Sequence, residues 1–152
     1  MTNFMKSGKI ENRPVSDNEF WQQRLDDREF LQELYEFVKA DPRKNSAELN
    51  SLLRIVEKEK KNAIHEVYLV GTKTPISEIC IRTLERFLKE IQFTIYSPKE
   101  VSGYFWESEK YSEKYAREEF LKDTSLLIDR LIYLAEKKKQ EGYKVVFNPT
   151  GG

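Results

Sequence analysis

The feature that most constrains the fold is a strand–turn–helix–strand unit in the middle of the chain. A β-prone run from His65 to Val70 precedes a turn, a helical pattern from Pro75 to Ile91, and a second short β-prone run, Phe93 to Tyr96. Two strands that are joined through a helix run parallel, whereas an antiparallel pair needs only a tight turn. The unit therefore predicts an α/β fold built on a parallel sheet.

The helix of this unit has the most regular apolar stripe in the chain, and a proline in its first turn is favoured. Its inward positions are predicted to be Ile76, Ile79, Cys80, Thr83, Leu84, Phe87, Leu88 and Ile91. The stripe accounts for Cys80 as a core residue.

One long helix is predicted near the start of the chain. Residues 1–15 are polar and predict a loop, after which Ser16 and Glu19 form a capping box. The helix continues to about Ala40, although its apolar stripe is interrupted around residues 26–27. Its predicted inward positions are Phe20, Trp21, Phe30, Leu31, Leu34, Phe37 and Val38.

A second helix is predicted between this one and the central unit. Asp41-Pro42 ends the first helix, because the residue before a proline disfavours helical geometry. Residues 45–48 start the next one, with Leu49, Leu52, Leu53 and Val56 on one face. The charged run from Glu57 to Lys61 is interpreted as a solvated last turn.

The C-terminal part predicts a loop, a helix and a closing strand. Residues 97–109 are interpreted as a loop, and a long helix is predicted from about Tyr111 until Gly142 stops it. Its inward positions are predicted to be Phe120, Thr124, Leu127, Leu131 and Leu134. The continuously apolar run Val145 to Phe147 predicts a strand that is buried on both faces of a parallel sheet.

These elements together predict one domain over residues 1–152, a Rossmann-like parallel sheet with flanking helices. The predicted chain opens with helices, although alternating units should begin with a strand. It also stops inside a glycine turn. We therefore expect the sheet to lack its first strand and the domain to be truncated at both ends.

The candidate binding residues follow two predicted strands at their carboxyl ends, where open α/β sheets bind ligands. Asn148, Thr150, Gly151 and Gly152 follow the closing strand. Glycines let backbone N–H groups approach a ligand, and a threonine hydroxyl can bond a phosphate or a 2′-hydroxyl. The alternative interpretation of this stretch is a frayed tail.

A second group of candidates lies in the turn from Gly71 to Thr74, which follows the first predicted strand. Thr72 and Lys73 are candidate ligand contacts, whereas Thr74 is better explained as the cap of the following helix. The turn has neither a phosphate-loop pattern nor a dinucleotide-binding glycine pattern. The aromatic run 104–106 could stack a base, but such clusters more often pack a loop onto its own domain.

Composition excludes several classes of function. The chain has 26 basic and 26 acidic residues, so no overall positive field attracts duplex nucleic acid. Cys80 and His65 are single residues of their kind, which excludes an internal disulfide and a metal site rich in Cys or His. No apolar run is long enough to span a membrane, and a single cysteine favours the cytoplasm. No cofactor, metal or catalytic residue is assigned.

Three segments together resemble the CRISPR-associated Rossmann-fold (CARF) proteins, in particular the ring-nuclease-like family of type III CRISPR systems. The segments are residues 46–52, the strand–turn–helix from Val67 to Leu88, and Phe147 to Gly152. The family has an Asn-x-Thr-Gly-Gly pattern at the last of these, which Asn148 to Gly152 match. The sequence departs from the family in its turn at Gly71–Thr74, and it stops before the lysine that follows the glycines.

The resemblance implies a binder of cyclic oligoadenylate, typically cyclic tetra-adenylate, held across a homodimer interface. Some members cleave the ring without a metal, using the ligand's own 2′-hydroxyl as nucleophile. The family's first strand, which ends in a Gly-Thr-Ser-type turn, has no counterpart before Met1, and the lysine after the glycines is also missing. We therefore expect no ring cleavage by these 152 residues. The alternatives are a non-catalytic sensor domain that signals to a partner and an unrelated nucleotide-binding α/β domain.

Overall fold

A computed structural model describes residues 1–59, 63–72, 74–96, 105–106 and 116–149. The elements, in order, are α1 (Thr2–Lys6), α2 (Asn18–Leu25), α3 (Arg28–Ala40), α4 (Pro42–Asn45), α5 (Ala47–Val56), β1 (Glu66–Tyr68), β2 (Gly71–Thr72), α6 (Pro75–Glu90), β3 (Thr94–Tyr96), β4 (Phe105–Trp106) and α7 (Ala116–Gln140). The side chains of these residues are described as well, except those of residues 105–106 and 116–123. The α/β character is confirmed, with parallel strand pairing in a chain that is rich in helices.

The N-terminal region is more helical and more divided than the sequence predicts. The predicted loop over residues 1–15 is wrong in its first part, because α1 forms there and buries Phe4 and Met5. The predicted long helix is two helices, since Asp27 caps α3 by accepting a hydrogen bond from the Phe30 N–H at 3.0 Å. Asp17, one residue after the predicted Ser16, is the N-cap of α2.

The predicted order of strand, helix and strand in the central unit is confirmed, but β1 covers only part of the run 65–70 and β2 forms within the predicted turn 71–74. Helix α6 lies between β1 and β3, which pair in parallel with Val67 opposite Ile95. Thr74 caps α6 through a 3.4 Å hydrogen bond from the Ser77 N–H, which confirms the capping interpretation of this residue. A second parallel pair joins β2 to β4, so residues 105–106 are a strand within the predicted loop.

The core lies between the N-terminal helices and the central unit. Helices α2 and α3 pack against α6, and Trp21, Phe4, Leu49, Ile79 and Leu88 are the largest side chains that are fully buried. Most predicted inward positions of these helices are buried or half-buried, but Ile91 is exposed. Cys80 is partly buried, and burial raises the pKa of its thiol.

The predicted closing strand is wrong. Residues 143–149 follow Gly142, whose φ of 89° ends α7, but they form no strand with any described residue. The side chains of Val146 and Phe147 are 47% and 58% exposed, although the prediction placed them between two layers. The three-stranded sheet is therefore replaced, in the described part of the chain, by two separate two-stranded parallel ladders.

Candidate functional site

The segment from Tyr143 to Pro149 lies along helix α5 and carries one of the predicted site residues. Lys144 contacts Glu59, just beyond the end of the helix, while Asn148 contacts Ser51 and Glu48 near its beginning. The segment therefore runs antiparallel to α5. This arrangement takes Asn148 to the N-terminal half of α5.

Asn148 fixes this segment on α5 through two hydrogen bonds of its side chain. Its side-chain carbonyl accepts a 2.5 Å hydrogen bond from the Ser51 hydroxyl, and its amide donates a long 3.5 Å bond to the backbone carbonyl of Glu48. Both partners are on α5, whose own N-cap is Ser46. Asn148 is thus held within the chain, and it fixes this part of the segment on α5.

Thr72 lies beside the first turn of α6, as expected for a residue at the carboxyl end of a strand. Its hydroxyl is 3.1 Å from the hydroxyl of Thr74, the N-cap of α6. Gly71 packs closely on the same helix, because a Cβ there would lie 2.5 Å from atoms of Ile81 and Ser77. The glycine is needed for close packing of strand and helix.

The remaining predicted site residues, Lys73, Thr150, Gly151 and Gly152, lie outside the described residues. The structure therefore places two of the six, Asn148 and Thr72. These two lie against different helices, α5 and α6.

A cleft along α5 was not predicted from the sequence. Its cavity has a volume of about 410 Å³ and is lined by Asn50, Ser51, Arg54, Ile55, Lys58, Glu59, Lys144 and Val146. Three cations face one carboxylate there, although the net charge of the whole chain is zero. The charged run 57–61 was the available signal, but sequence alone does not show that Lys144 faces it.

The charges in this cleft are unequally paired. Lys144 donates a 2.5 Å hydrogen bond to Glu59, and that bond and the lysine charge hold the pKa of Glu59 below its usual value. Arg54 and Lys58 have no ion-pair partner among the described residues. The cleft therefore has two positive charges, one in the last turn of α5 and one just beyond it, that are paired with no described carboxylate.

A second polar cluster joins the end of α7 to β1. Lys138 forms ion pairs with Glu66 at 2.9 Å and with Glu141 at 2.7 Å, and its ammonium lies over the Tyr143 ring. Desolvation pushes the pKa of Glu66 up, but hydrogen bonds from Lys138 and Tyr143 outweigh it, so the pKa is lowered. Burial raises the pKa of Tyr68 to about 12, and this ring stacks on Tyr96. The cluster is a structural link.

Other kinds of site find no support in the described part of the chain. Its residues include no group of three or more His, Cys, Asp or Glu side chains arranged to hold a metal ion. His65 packs its ring against Phe93, with 5.2 Å between the centroids, which agrees with a structural role. None of the described helices combines the length and the apolar composition that a membrane span requires.

The fold and its sites define an α/β protein that has parallel strands and a C-terminal segment anchored on α5. A family model described as CRISPR-associated protein (Cas_APE2256) matches residues 43–152, well over half of the chain. The chain therefore belongs to this CRISPR-associated family. Neither a curated protein nor a solved structure matches it. Helices α1 to α3 lie before the matched part.

Proposed function

We propose that this protein binds cyclic oligoadenylate, with cyclic tetra-adenylate as the preferred ring, as part of type III CRISPR antiviral defence. The observation that carries the proposal is the family match over residues 43–152, which takes in both predicted ligand turns. The Rossmann-like arrangement and the CARF assignment belong to the same proposal. The parallel pairing of β1 with β3 supports them.

The proposed ligand contacts are divided between two turns. Thr72 ends β2 and Lys73 is the next residue in the sequence, while Thr150, Gly151 and Gly152 come after the segment that Asn148 anchors on α5. A hydroxyl and several backbone N–H groups are suitable donors for phosphodiester oxygens, because they supply hydrogen bonds without a buried charge. Asn148 contributes by positioning, since both of its polar side-chain atoms already have partners.

Ring cleavage is the finer part of this proposal, since the family resemblance implies it for some members. It would place a ligand 2′-hydroxyl in line with the neighbouring phosphate and stabilise the developing charge with backbone N–H groups and a cation. A sensor that binds the ring without cleaving it is the second candidate. We expect binding by a homodimer, which sedimentation at several protein concentrations tests directly.

Calorimetry with three ligands tests the binding proposal. We expect cyclic tetra-adenylate to bind more tightly than linear tetra-adenylate or ATP. Thr150→Ala should weaken ring binding by about 1–3 kcal/mol, because it removes a hydrogen bond to a charged oxygen. Thr94→Ala, an exposed threonine on β3, is the matched control and should bind normally. Equal affinity for ring and linear ligand would refute the proposal.

A further inference from the structure

We propose that the cleft between α5 and residues 144–146 is a second anion-binding site, which takes phosphate groups. The proposal does not rest on cyclic oligoadenylate binding at the two turns described above. Its basis is the set of charges that the fold brings to one cavity, with Arg54 and Lys58 on one wall and Lys144 on the other.

The position of two cations at the C-terminal end of α5 is the first argument. Arg54 lies in the last turn of the helix and Lys58 lies two residues beyond its end, and both line the same cavity. Like charges that line one cavity repel each other, and neither has an ion-pair partner among the described residues. A bound anion would remove that repulsion.

The opposite wall adds a third cation and a polar group. Lys144 comes from the antiparallel segment, so donors would reach an anion from two sides. Asn50 also lines the cavity, and an asparagine side-chain amide is a hydrogen-bond donor. A phosphate has oxygens in several directions, and the guanidinium of Arg54 can hold two of them. The cavity, at about 410 Å³, is large enough for more than one phosphate group.

Glu59 sets the strength of the site. Among the described residues it is the one carboxylate that lines the cavity, and it holds Lys144 by a 2.5 Å ion pair. Its negative charge opposes an incoming anion and occupies one of the three cations. Removing that charge should therefore strengthen anion binding, whereas removing the cations should weaken it. A purely structural role of these residues predicts neither effect.

The test is calorimetry with pyrophosphate on the full chain at low salt. Arg54→Gln with Lys58→Gln should weaken binding at least tenfold. Lys6→Gln with Lys9→Gln also removes two exposed cations, but outside the cleft, and should change the affinity less than twofold. Glu59→Gln should tighten binding severalfold. Thermal melting of each variant checks that the fold is retained.

The outcomes separate this proposal from its alternatives. Equal weakening by both double variants would mean that only total charge matters, and it would overturn the site. Failure of Glu59→Gln to tighten binding would also overturn it, even if the double variant fails to fold. Thr150→Ala should leave pyrophosphate binding unchanged, so the proposal for the cleft and the proposal for cyclic oligoadenylate binding are tested independently. A parallel titration with a short thymidine oligonucleotide shows whether a phosphodiester strand or a free polyphosphate binds more tightly.

Discussion

Asn148 carries a polar side chain that already bonds within its own chain. Its carbonyl accepts from Ser51 and its amide donates to the Glu48 backbone, so the residue holds the segment 143–149 on α5. This explains how a segment that pairs with no strand among the described residues can still keep a defined position on that helix.

Ser51→Ala tests this anchor. We expect the free energy of unfolding to fall by about 1 kcal/mol, because the Asn148 carbonyl loses its hydrogen bond. Amide hydrogen exchange over residues 143–149 should become faster, and affinity for cyclic tetra-adenylate should fall with it. Ser16→Ala, an exposed serine, is the control. Unchanged exchange in the segment would show that Ser51 does not hold it.

At the scale of single elements, the close packing of β2 on α6 depends on a residue without a side chain. A methyl group on Gly71 would meet Ile81 Cδ1 and Ser77 Oγ, each at 2.5 Å. Ile81 is buried and cannot move away freely. The close contact of Gly71 with α6 therefore positions the β2–β4 pair, and a larger residue at position 71 would prevent that contact.

Gly71→Ala should accordingly destabilise the protein by about 1–3 kcal/mol, the usual cost of overpacking. Adding Ile81→Val and Ser77→Ala removes the two atoms that collide with the new methyl group. In urea unfolding, Gly71→Ala should therefore cost less stability in the Ser77→Ala, Ile81→Val background than in the wild type. An equal cost in both backgrounds would mean that the cost comes from the backbone.

The break between α2 and α3 gives a second prediction for an element. Asp27 caps α3 and also forms a 2.6 Å ion pair with Arg24, and both lower its pKa, the cap bond most strongly. Asp27→Ala should cost about 1 kcal/mol of stability, the usual value for a lost N-cap. Asp26→Ala changes the neighbouring carboxylate, whose side chain is 85% exposed, and should cost much less. Equal losses in urea unfolding would contradict the capping role.

The elements that the sequence predicts correctly are those whose signals are local. Pro75 and Thr74 mark the start of α6, and Gly142 marks the end of α7, because each acts on its own backbone. The run 145–147 fails as a strand because a strand needs a neighbour, which local composition does not supply. The α5 cleft was missed for the same reason, since Lys144 and Arg54 are far apart in sequence.

At the scale of the whole molecule, α7 is joined to the rest of the chain differently from the other long helices. Helices α2, α3 and α6 share the buried core, whereas α7 exposes Leu126, Ile128, Ile132 and Tyr133. Its C-terminal end is held at β1 by the ion pair between Lys138 and Glu66, whose side chains are 16% and 13% exposed. We therefore expect α7 and the segment after it to open without unfolding of the core.

Glu66→Gln tests this link through pH and through local opening. The pKa of Glu66 is lower in the folded state than its usual value of about 4.3. As the pH falls, the unfolded chain therefore takes up this proton at a higher pH than the folded chain does. The stability that Glu66 supplies is therefore complete above about pH 5 and is lost as the pH falls through the folded value. The pKa of Lys138 is raised by hydrogen bonds to Glu141 and Glu66, so its share persists until the solution is strongly alkaline. The melting temperature of Glu66→Gln should lie below that of the wild type by a constant amount from pH 6 to 9, and the gap should close in acid. Glu33→Gln, an exposed carboxylate on α3, should show no such gap.

Hydrogen exchange at neutral pH should become faster in α7 and residues 143–149 of the Glu66→Gln variant, while α3 and α6 stay protected. Faster exchange in all helices alike would mean that the chain opens as one unit and that the cluster does not hold α7 separately.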